Sequence, residues 1–207
     1  MSYNPQSFWK EELGNIDAWK KHANTSPAIL KSIERTKNIV LPEILKRKKS
    51  IGGTFLDAGC GSGYAANVFI ESGEWTEGYG LDFQQHRIDL CKEKFKDESR
   101  LKFDVKNLQD TGLPDKSVNM IYTGAVLQHI PLVDKVKTVQ EFKRILTDDG
   151  FYFGHEVINP ESVGISHHGH IINVDMKWLN EQFSPFIVEE VVLHFDTYNF
   201  QIIYAHK

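Results

Sequence analysis

The chain has 207 residues, a length that predicts a single domain with a sizeable hydrophobic core. Hydrophobic residues make up 41% of it and charged residues 25%, which is ordinary for a soluble globular protein. The net charge of −4 excludes a global basic field that would draw the chain to nucleic acid, although a local basic patch stays open. The two cysteines form neither a disulfide framework nor a metal-binding spacing. No signal peptide or membrane-spanning run is found, so we expect a cytoplasmic protein without a membrane partner.

Residues 1–50 precede the first predicted strand and are expected to form an N-terminal helical cap. Large apolar residues, including Trp9 and Trp19, recur there at roughly helical spacing. Ser26-Pro27 is typical of a helix start, and Pro42 is expected to kink or restart that second helix. The basic run that ends at Lys49 is interpreted as a solvated helix end, with an anionic-substrate patch as the alternative.

Residues 51–207 alternate short apolar strands with amphipathic helices. Strands are predicted near residues 54–56, 79–81, 101–103, 118–123 and 151–157. The Asp148-Asp149-Gly150 segment is interpreted as a turn, and residues 158–173 as a long loop. A short helix then precedes two strands that are joined by a short turn and are expected to pair antiparallel. The alternation predicts an α/β fold with a doubly wound, mostly parallel sheet.

The segment from Phe55 to Phe69 combines a strand, an acid, a glycine turn and a helix start. Glycines there allow another molecule to approach the backbone closely, and the helix offers free N–H groups at its beginning. A dinucleotide-binding fingerprint would need glycine where this chain has Tyr64, which argues against a nicotinamide or flavin enzyme. The run from Asp57 to Gly63, Asp-Ala-Gly-Cys-Gly-Ser-Gly, resembles motif I of the class I S-adenosylmethionine-dependent methyltransferases.

A second stretch is similar to the same family. The run from Gly124 to Ile130 is followed by Glu141, by Arg144 and by a glycine turn, and only the Asp148-Asp149 pair departs from the common pattern. The resemblance implies a Rossmann-like methyltransferase domain over residues 51–207. Its seven strands would lie in the order 3-2-1-4-5-7-6, with strand 7 antiparallel. Residues 1–50 would be a cap or lid outside that domain.

The resemblance also implies S-adenosylmethionine as cofactor, with S-adenosylhomocysteine as product, and a set of residues to hold it. One acid, Asp82, would accept from both ribose hydroxyls, while Asp104 and the Val105 amide would bind the adenine. The complete set of implied cofactor-binding residues is Asp57, Ala58, Gly59, Cys60, Gly61, Asp82, Phe83, Asp104, Val105, Thr123 and Gly124.

Each of these acids has a simpler interpretation as the cap of the helix that follows its strand. Three acids, each at a strand end and together with the glycine turn, favour the cofactor site. Asp104 is the weakest of them, because Asp110 lies in the same loop and could serve instead.

Histidines supply the candidates for the acceptor side of the site. His129 follows strand four, and the adjacent pair His155 and Glu156 lies at the end of strand five. All three are predicted to be catalytic, with a histidine as the base for a neutral hydroxyl or amine. An anionic acceptor would need cationic or N–H donors instead. The predicted acceptor-binding residues are Trp9, Trp19, His129, His155, His167, His168 and His170. A metal site at the last three is disfavoured, because neither helical spacing nor a cysteine supports it.

The sequence therefore predicts a methyltransferase that acts on an oxygen or nitrogen atom of a small molecule, such as a metabolite or a sugar or glycan precursor. One alternative is an RNA or protein methyltransferase, against which the acidic charge counts. The other is a non-catalytic S-adenosylmethionine-binding module. We expect a monomer or homodimer without a nucleic-acid partner.

Overall fold

A computed structural model describes residues 27–48, 52–157, 176–195 and 198–207 of the chain. The helices are α1 Pro27–Arg35, α2 Leu41–Arg47, α3 Tyr64–Glu71, α4 Gln85–Lys94, α5 Leu132–Ile145 and α6 Met176–Phe183, with a π-helix at Thr36–Val40 and a 3₁₀ turn at Leu127–His129. The strands are β1 Thr54–Ala58, β2 Glu77–Asp82, β3 Leu101–Val105, β4 Val118–Gly124, β5 Leu146–Val157, β6 Ile187–Phe195 and β7 Tyr198–His206.

The seven strands form one sheet in the order β3-β2-β1-β4-β5-β7-β6, which confirms the fold class and strand order. Strands β1 to β5 pair in parallel. Strand β7 runs antiparallel to both β5 and β6. The chain crosses from β3 to β4 over β1 and β2, so the sheet switches direction between β1 and β4. Ligands of open parallel sheets bind beyond the carboxyl ends of the strands at such a switch point.

Helices cover both faces of the sheet, and each face has its own hydrophobic core. On the first face, Phe55 of β1 packs with Phe69 of α3. On the second face, Leu56 of β1 belongs to the cluster that contains Phe142 of α5. Since side chains alternate along a strand, neighbouring residues at a strand end point to opposite faces.

The π-helix separates α1 from α2 and begins directly after Arg35. Pro42 occupies the first turn of α2, and the Leu41 N–H donates to the Thr36 carbonyl oxygen five residues earlier. Proline has no N–H for the carbonyl four residues before it, so the backbone widens by one residue there. The predicted kink at Pro42 is therefore a local change of helix type.

Strand β5 begins earlier than predicted, because the Asp148-Asp149-Gly150 segment lies inside it rather than before it. The pairing with β4 moves from Val118 opposite Leu146 to Met120 opposite Phe151, which leaves extra residues on the β5 side. The predicted turn is thus an irregularity within a paired strand.

In the parts of the chain described above, no helix combines the length and the apolar character needed to cross a membrane.

Candidate functional site

The glycine turn follows β1 and is tied to the end of β2. Gly59, Gly61 and Gly63 have φ values of 76°, 53° and 71°, all in the left-handed region. The N–H groups of Gly59 and Cys60 both donate to the Leu81 carbonyl oxygen, at 2.8 and 2.9 Å. Glycine is required at these three positions, because other residues are strained when φ is positive.

A methyl group at Gly59 would meet a neighbouring element as well as strained backbone. Its Cβ would lie 2.7 Å from Val126 Cγ2, whereas a Cβ at Gly73, with a similar φ of 77°, would have no atom within 4 Å. We therefore expect Gly73→Ala to destabilise the fold by about 1–2 kcal/mol through strain alone. Gly59→Ala should cost about 1–3 kcal/mol more through overpacking.

Urea unfolding of both glycine variants measures this difference, and titration with S-adenosylhomocysteine measures its effect on the site. Only Gly59→Ala should weaken binding. Equal unfolding free energies in the two variants would contradict close packing between residue 59 and Val126.

Asp57 lies at the end of β1 with its side chain on the first face, 2% exposed. Its Oδ2 accepts from the Ala66 N–H in the first turn of α3, at 3.1 Å. Burial raises the pKa of Asp57 to about 7, with the Ala66 hydrogen bond acting against this and the charge of Asp82 adding to it. The carboxyl group thus caps α3 beneath the glycine turn, as the simpler interpretation required, and can still carry a negative charge toward a ligand.

Asp82 ends β2 and joins two backbone segments. Its Oδ2 accepts from the Gly61 N–H at 3.1 Å, and its Oδ1 accepts from the Gln84 N–H at 3.0 Å. An ionised carboxylate has about four lone-pair sites, so acceptor capacity remains on both oxygens. Asp82 therefore joins the glycine turn to Gln84, the residue before α4, and can still accept two ribose hydroxyls.

Gln84 was not singled out by the sequence. Its side chain is 7% exposed, and within the described part of the chain neither amide atom has a hydrogen-bond partner. A buried amide without a partner costs free energy, which a polar ligand atom could recover. The adjacent Phe83 ring, 37% exposed, is open to contact. These groups form one candidate site: the glycine turn, the two buried acids and the Gln84 amide. Together they fit a nucleoside that carries an amino acid.

The loop after β3 is held by α5. Glu141 Oε1 accepts from the Thr111 N–H at 2.9 Å and from the Thr111 hydroxyl at 2.6 Å, and Arg144 Nη2 donates to the same oxygen at 2.7 Å. Asp104 is exposed, with Oδ1 accepting from the Val105 N–H at 2.9 Å, and Asp110 forms a bridge with Asn107. Asp104 and Val105 thus stay predictions for the adenine.

The end of β4 carries a strained residue. Ala125 has a φ of 57°, and its N–H donates to the His155 carbonyl oxygen at 2.7 Å. A left-handed residue other than glycine persists only where its surroundings hold it, which is common in binding sites. The preceding Thr123 hydroxyl is 2.7 Å from the Tyr152 hydroxyl. Thr123 and Gly124 therefore lead into a firmly held turn.

His155 and Glu156, predicted as a pair, point to opposite faces of the sheet because they are consecutive in β5. Both side chains are 3% exposed. Burial lowers the pKa of His155 to about 3, and the Arg35 charge adds to that effect. The imidazole is therefore neutral throughout the physiological range.

Glu156 accepts hydrogen bonds from the turn that follows β4. Its Oε1 accepts from the N–H groups of Val126 and Leu127 at 3.3 and 3.2 Å, and its Oε2 accepts from the Gln128 N–H at 3.4 Å. Burial raises the pKa of Glu156 to about 7, and these hydrogen bonds oppose that rise. The carboxylate holds the turn that presents His129.

His129 ends that 3₁₀ turn, and its Nε2 lies 3.2 Å from the Gln128 side-chain nitrogen. The remaining predicted acceptor-binding residues, Trp9, Trp19, His167, His168 and His170, lie outside the described residues. Among the residues that are described, no three of histidine, cysteine, aspartate and glutamate gather as a metal ion would require.

Residues 56–154 match a family described as a methyltransferase domain. An Arabidopsis thaliana protein, named an uncharacterized chloroplastic methyltransferase, is 28% identical over 116 residues, 52% of this chain and 32% of that protein. A Mycolicibacterium smegmatis protein, named a "Probable S-adenosylmethionine-dependent methyltransferase", is 29% identical over 101 residues, 49% of this chain and 37% of that protein. The chain thus matches about a third of the length of these curated relatives.

Among solved structures, a SAM-dependent methyltransferase from Aquifex aeolicus has a TM-score of 0.65 with 15% sequence identity, over 99% of both chains. At that identity the likeness shows the shared fold alone.

Proposed function

We propose that this chain, whose residues 56–154 form a class I S-adenosylmethionine-dependent methyltransferase domain, transfers the methyl group to an oxygen or nitrogen atom of a small molecule. S-adenosylmethionine is the cofactor of this domain. The observation that carries the proposal is the turn after β4, where Glu156 holds the backbone of residues 126–128 and the turn ends at His129. That turn packs on the glycine turn through Val126, which supports a position for the His129 imidazole near the expected cofactor site.

Binding falls to groups at the strand ends. The two buried acids would hold the charged and hydroxylated parts of the cofactor, Asp57 its ammonium and Asp82 its ribose. The open Phe83 ring and the Asp104 and Val105 pair would flank the adenine. The strained backbone after Thr123 would close the amino-acid end. Holding both reactants in line supplies much of the catalysis.

S-adenosylmethionine supplies a methyl group that is already activated on a sulfonium, which leaves as a neutral thioether. The lone pair of the acceptor forms the new bond to carbon, so a hydroxyl or amine acceptor must lose a proton. We assign that proton to His129. Burial lowers the pKa of His155 to about 3, and a group with that pKa does not take up protons near pH 7. This supports a structural role for His155 rather than the role of the base. Glu156 already accepts backbone hydrogen bonds, which supports a holding role for it.

A small acceptor is favoured over RNA or protein by the acidic net charge of −4. A metabolite or a sugar or glycan precursor fits this reading. The N-terminal cap, through Trp9 and Trp19, and the histidine loop with His167, His168 and His170 would contact the acceptor. We further propose a cytoplasmic monomer or homodimer, in keeping with its two free thiols, Cys60 and Cys91.

Methyl-labelled S-adenosylmethionine tests the proposal when it is supplied with separate pools of small hydroxyl and amine compounds, sugar precursors, RNA and protein. We expect the label to appear in a small-molecule product, as a methyl ether or a methylamine. Label confined to RNA or protein would replace the proposal by the macromolecular alternative. Binding of S-adenosylhomocysteine without transfer to any pool would favour the non-catalytic module.

A further inference from the structure

The side chain of Gln84 is buried at the start of α4, and no bond within the fold explains its amide. It is 7% exposed, and among the residues whose structure is described neither Nε2 nor Oε1 meets a hydrogen-bond partner. Most buried side-chain amides are paired, because an unpaired one has lost its hydrogen bonds to water and gained none in the protein. Both atoms of the Gln84 amide are therefore suited to a partner that binds from outside the chain.

Helix capping does not account for this glutamine. Gln84 directly precedes α4, a position where the short side chains of serine, threonine, aspartate or asparagine usually accept from free helix N–H groups. The Gln84 side chain makes no such bond. Its backbone N–H donates to Asp82 Oδ1 at 3.0 Å, and its carbonyl oxygen accepts from the N–H groups of Arg87 and Ile88 at 3.1 and 3.3 Å. The helix start thus uses the backbone of Gln84 and leaves its side-chain amide unused.

Gln84 begins a stripe of residues that lies against the glycine turn. Residues three, four and seven positions apart share one face of a helix. Three positions after Gln84, the Arg87 Nη1 atom would lie 2.8 Å from a Cβ at Gly61. Seven positions after Gln84, the Cys91 thiol donates to the Gly61 carbonyl oxygen at 3.4 Å. The stripe therefore places Gln84 on the face of α4 that meets the predicted cofactor site.

Gln84 also lies between the residues that are predicted to bind the two halves of the nucleoside. It is adjacent to Phe83, whose ring is 37% exposed. Two positions before it, Asp82 pairs with Val105 in the sheet, and the Lys106 N–H donates to the Asp82 carbonyl oxygen at 3.1 Å. The segment that carries Gln84 is thus fixed both to the predicted ribose-binding acid and to the predicted adenine-binding end of β3.

A glutamine amide has the functional groups that adenine requires. It holds a donor and an acceptor side by side, and adenine presents the complementary pair, an acceptor at N7 beside the donor at its 6-amino group. Glutamine pairs with adenine in this way where proteins read DNA. The ribose hydroxyls are the predicted partners of Asp82. The amino group carries two protons, so Asp104 and Gln84 can each accept one of them.

We infer that Gln84 is a specificity-determining residue for the cofactor: its Oε1 accepts from the 6-amino group of adenine, and its Nε2 donates to N7. The inference deepens the proposed function, because it rests on the predicted placement of the nucleoside beside Asp82 and Phe83. It involves neither the acceptor nor turnover, so binding measurements test it separately from methyl transfer.

The variant Gln84→Met removes both polar atoms and keeps the length of the side chain. Calorimetry with S-adenosylhomocysteine should show a roughly tenfold or greater loss of affinity, since two hydrogen bonds to the base are lost. The matched control is Gln85→Met, at an exposed glutamine whose Nε2 donates to Asp89 Oδ1 at 2.8 Å. We expect the control to bind within about twofold of the wild type.

Two analogues of S-adenosylhomocysteine identify the atoms of the base. The 7-deaza analogue has a C–H group in place of N7, and the inosine analogue has an oxygen in place of the amino group. The wild type should bind the 7-deaza analogue roughly tenfold more weakly than the parent compound, because the Gln84 amide donor then stays buried without a partner. In Gln84→Met the two compounds should bind within about twofold of each other. The preference over the inosine analogue should shrink in this variant but persist, since Asp104 is also predicted to bind the amino group.

The melting temperature without ligand separates recognition of the base from a structural role. A buried amide without a partner costs free energy, so Gln84→Met should melt at the wild-type temperature or above it. A structural glutamine would instead lose stability and affinity together. Should the variant melt early, the ratio of its affinities for the parent compound and the 7-deaza analogue still decides, because both ligands are compared on the same protein.

A preference for the parent compound that survives in Gln84→Met would overturn the inference. Equal binding of the parent compound and the 7-deaza analogue by the wild type would overturn it as well. If Gln84→Met loses the preference and the wild type transfers no methyl group to any acceptor, the inference stands and the result counts against the proposed function alone.

Discussion

Turnover of the His129→Ala enzyme is expected to fall by roughly 10²-fold or more while affinity for S-adenosylhomocysteine stays within about twofold. His129 lies at the end of the turn that Glu156 holds, so its removal should leave the backbone and the glycine turn in place. The loss appears in kcat if the imidazole takes the proton of a neutral acceptor. The wild-type rate should rise with pH as the neutral imidazole appears.

Asp57 and Glu156 titrate near pH 7 as well, so cofactor affinity has to be measured at every pH at which the rate is measured. The matched control is His155→Ala. Because the His155 imidazole is buried and stays neutral, its loss should lower the melting temperature without altering the pH profile of turnover. An anionic acceptor would instead place the His129→Ala loss in KM. Normal kinetics in His129→Ala would remove the residue from the mechanism.

The second large effect is expected at Asp82. Asp82→Ala should weaken S-adenosylhomocysteine binding by roughly 10- to 100-fold or more, since hydrogen bonds to charged groups contribute about 1.5–3 kcal/mol each. The structure adds a reason, because the same carboxylate holds the N–H groups of Gly61 and Gln84. Loss of these bonds also leaves two buried backbone donors without a partner, so the melting temperature should fall too.

Calorimetry with S-adenosylhomocysteine measures the affinity, and Asp89→Ala, at an exposed acid on the adjoining α4, controls for the change in charge. Asp82→Asn tests the geometry, because an amide keeps one acceptor oxygen and should lose less stability than alanine. Binding within about threefold of wild type in Asp82→Ala would reduce this residue to a helix cap.

The sequence determined the fold class and predicted the residues of the cofactor end of the site. Three glycines with left-handed φ values had to stand where a tight turn leaves β1, and the strand-helix alternation had to give a doubly wound sheet. Both are local properties, set by backbone sterics and by the periodicity of apolar residues. They can therefore be predicted from the sequence alone. The position of Asp82 can be predicted for the same reason, since it lies between the end of a strand and the start of a helix.

Only the tertiary structure decided which neighbouring residues act together. The sequence presents His155 and Glu156 as one pair, but strand alternation sends them to separate faces with opposite shifts of pKa. The sequence only weakly indicates that Lys135 is buried. The residue stands four positions before Val139 on the apolar stripe of α5, but a lysine on a helix usually reaches water. In the folded chain its side chain is fully buried, and its ammonium lies 5.9 Å from the centre of the Trp178 ring on α6, which is distant in sequence.

The unpartnered amide of Gln84 and the strained Ala125 are of the same kind. Neither glutamine nor alanine indicates a binding site in a sequence. Their relevance to the site follows from the segments that surround them in the fold. Periodicity and turn chemistry act within a few residues, whereas burial and electrostatic pairing are properties of the assembled sheet and its helices. For that reason the sequence alone predicts the cofactor motif and the strand-end acids, and only the folded chain shows which groups hold the turn beside them.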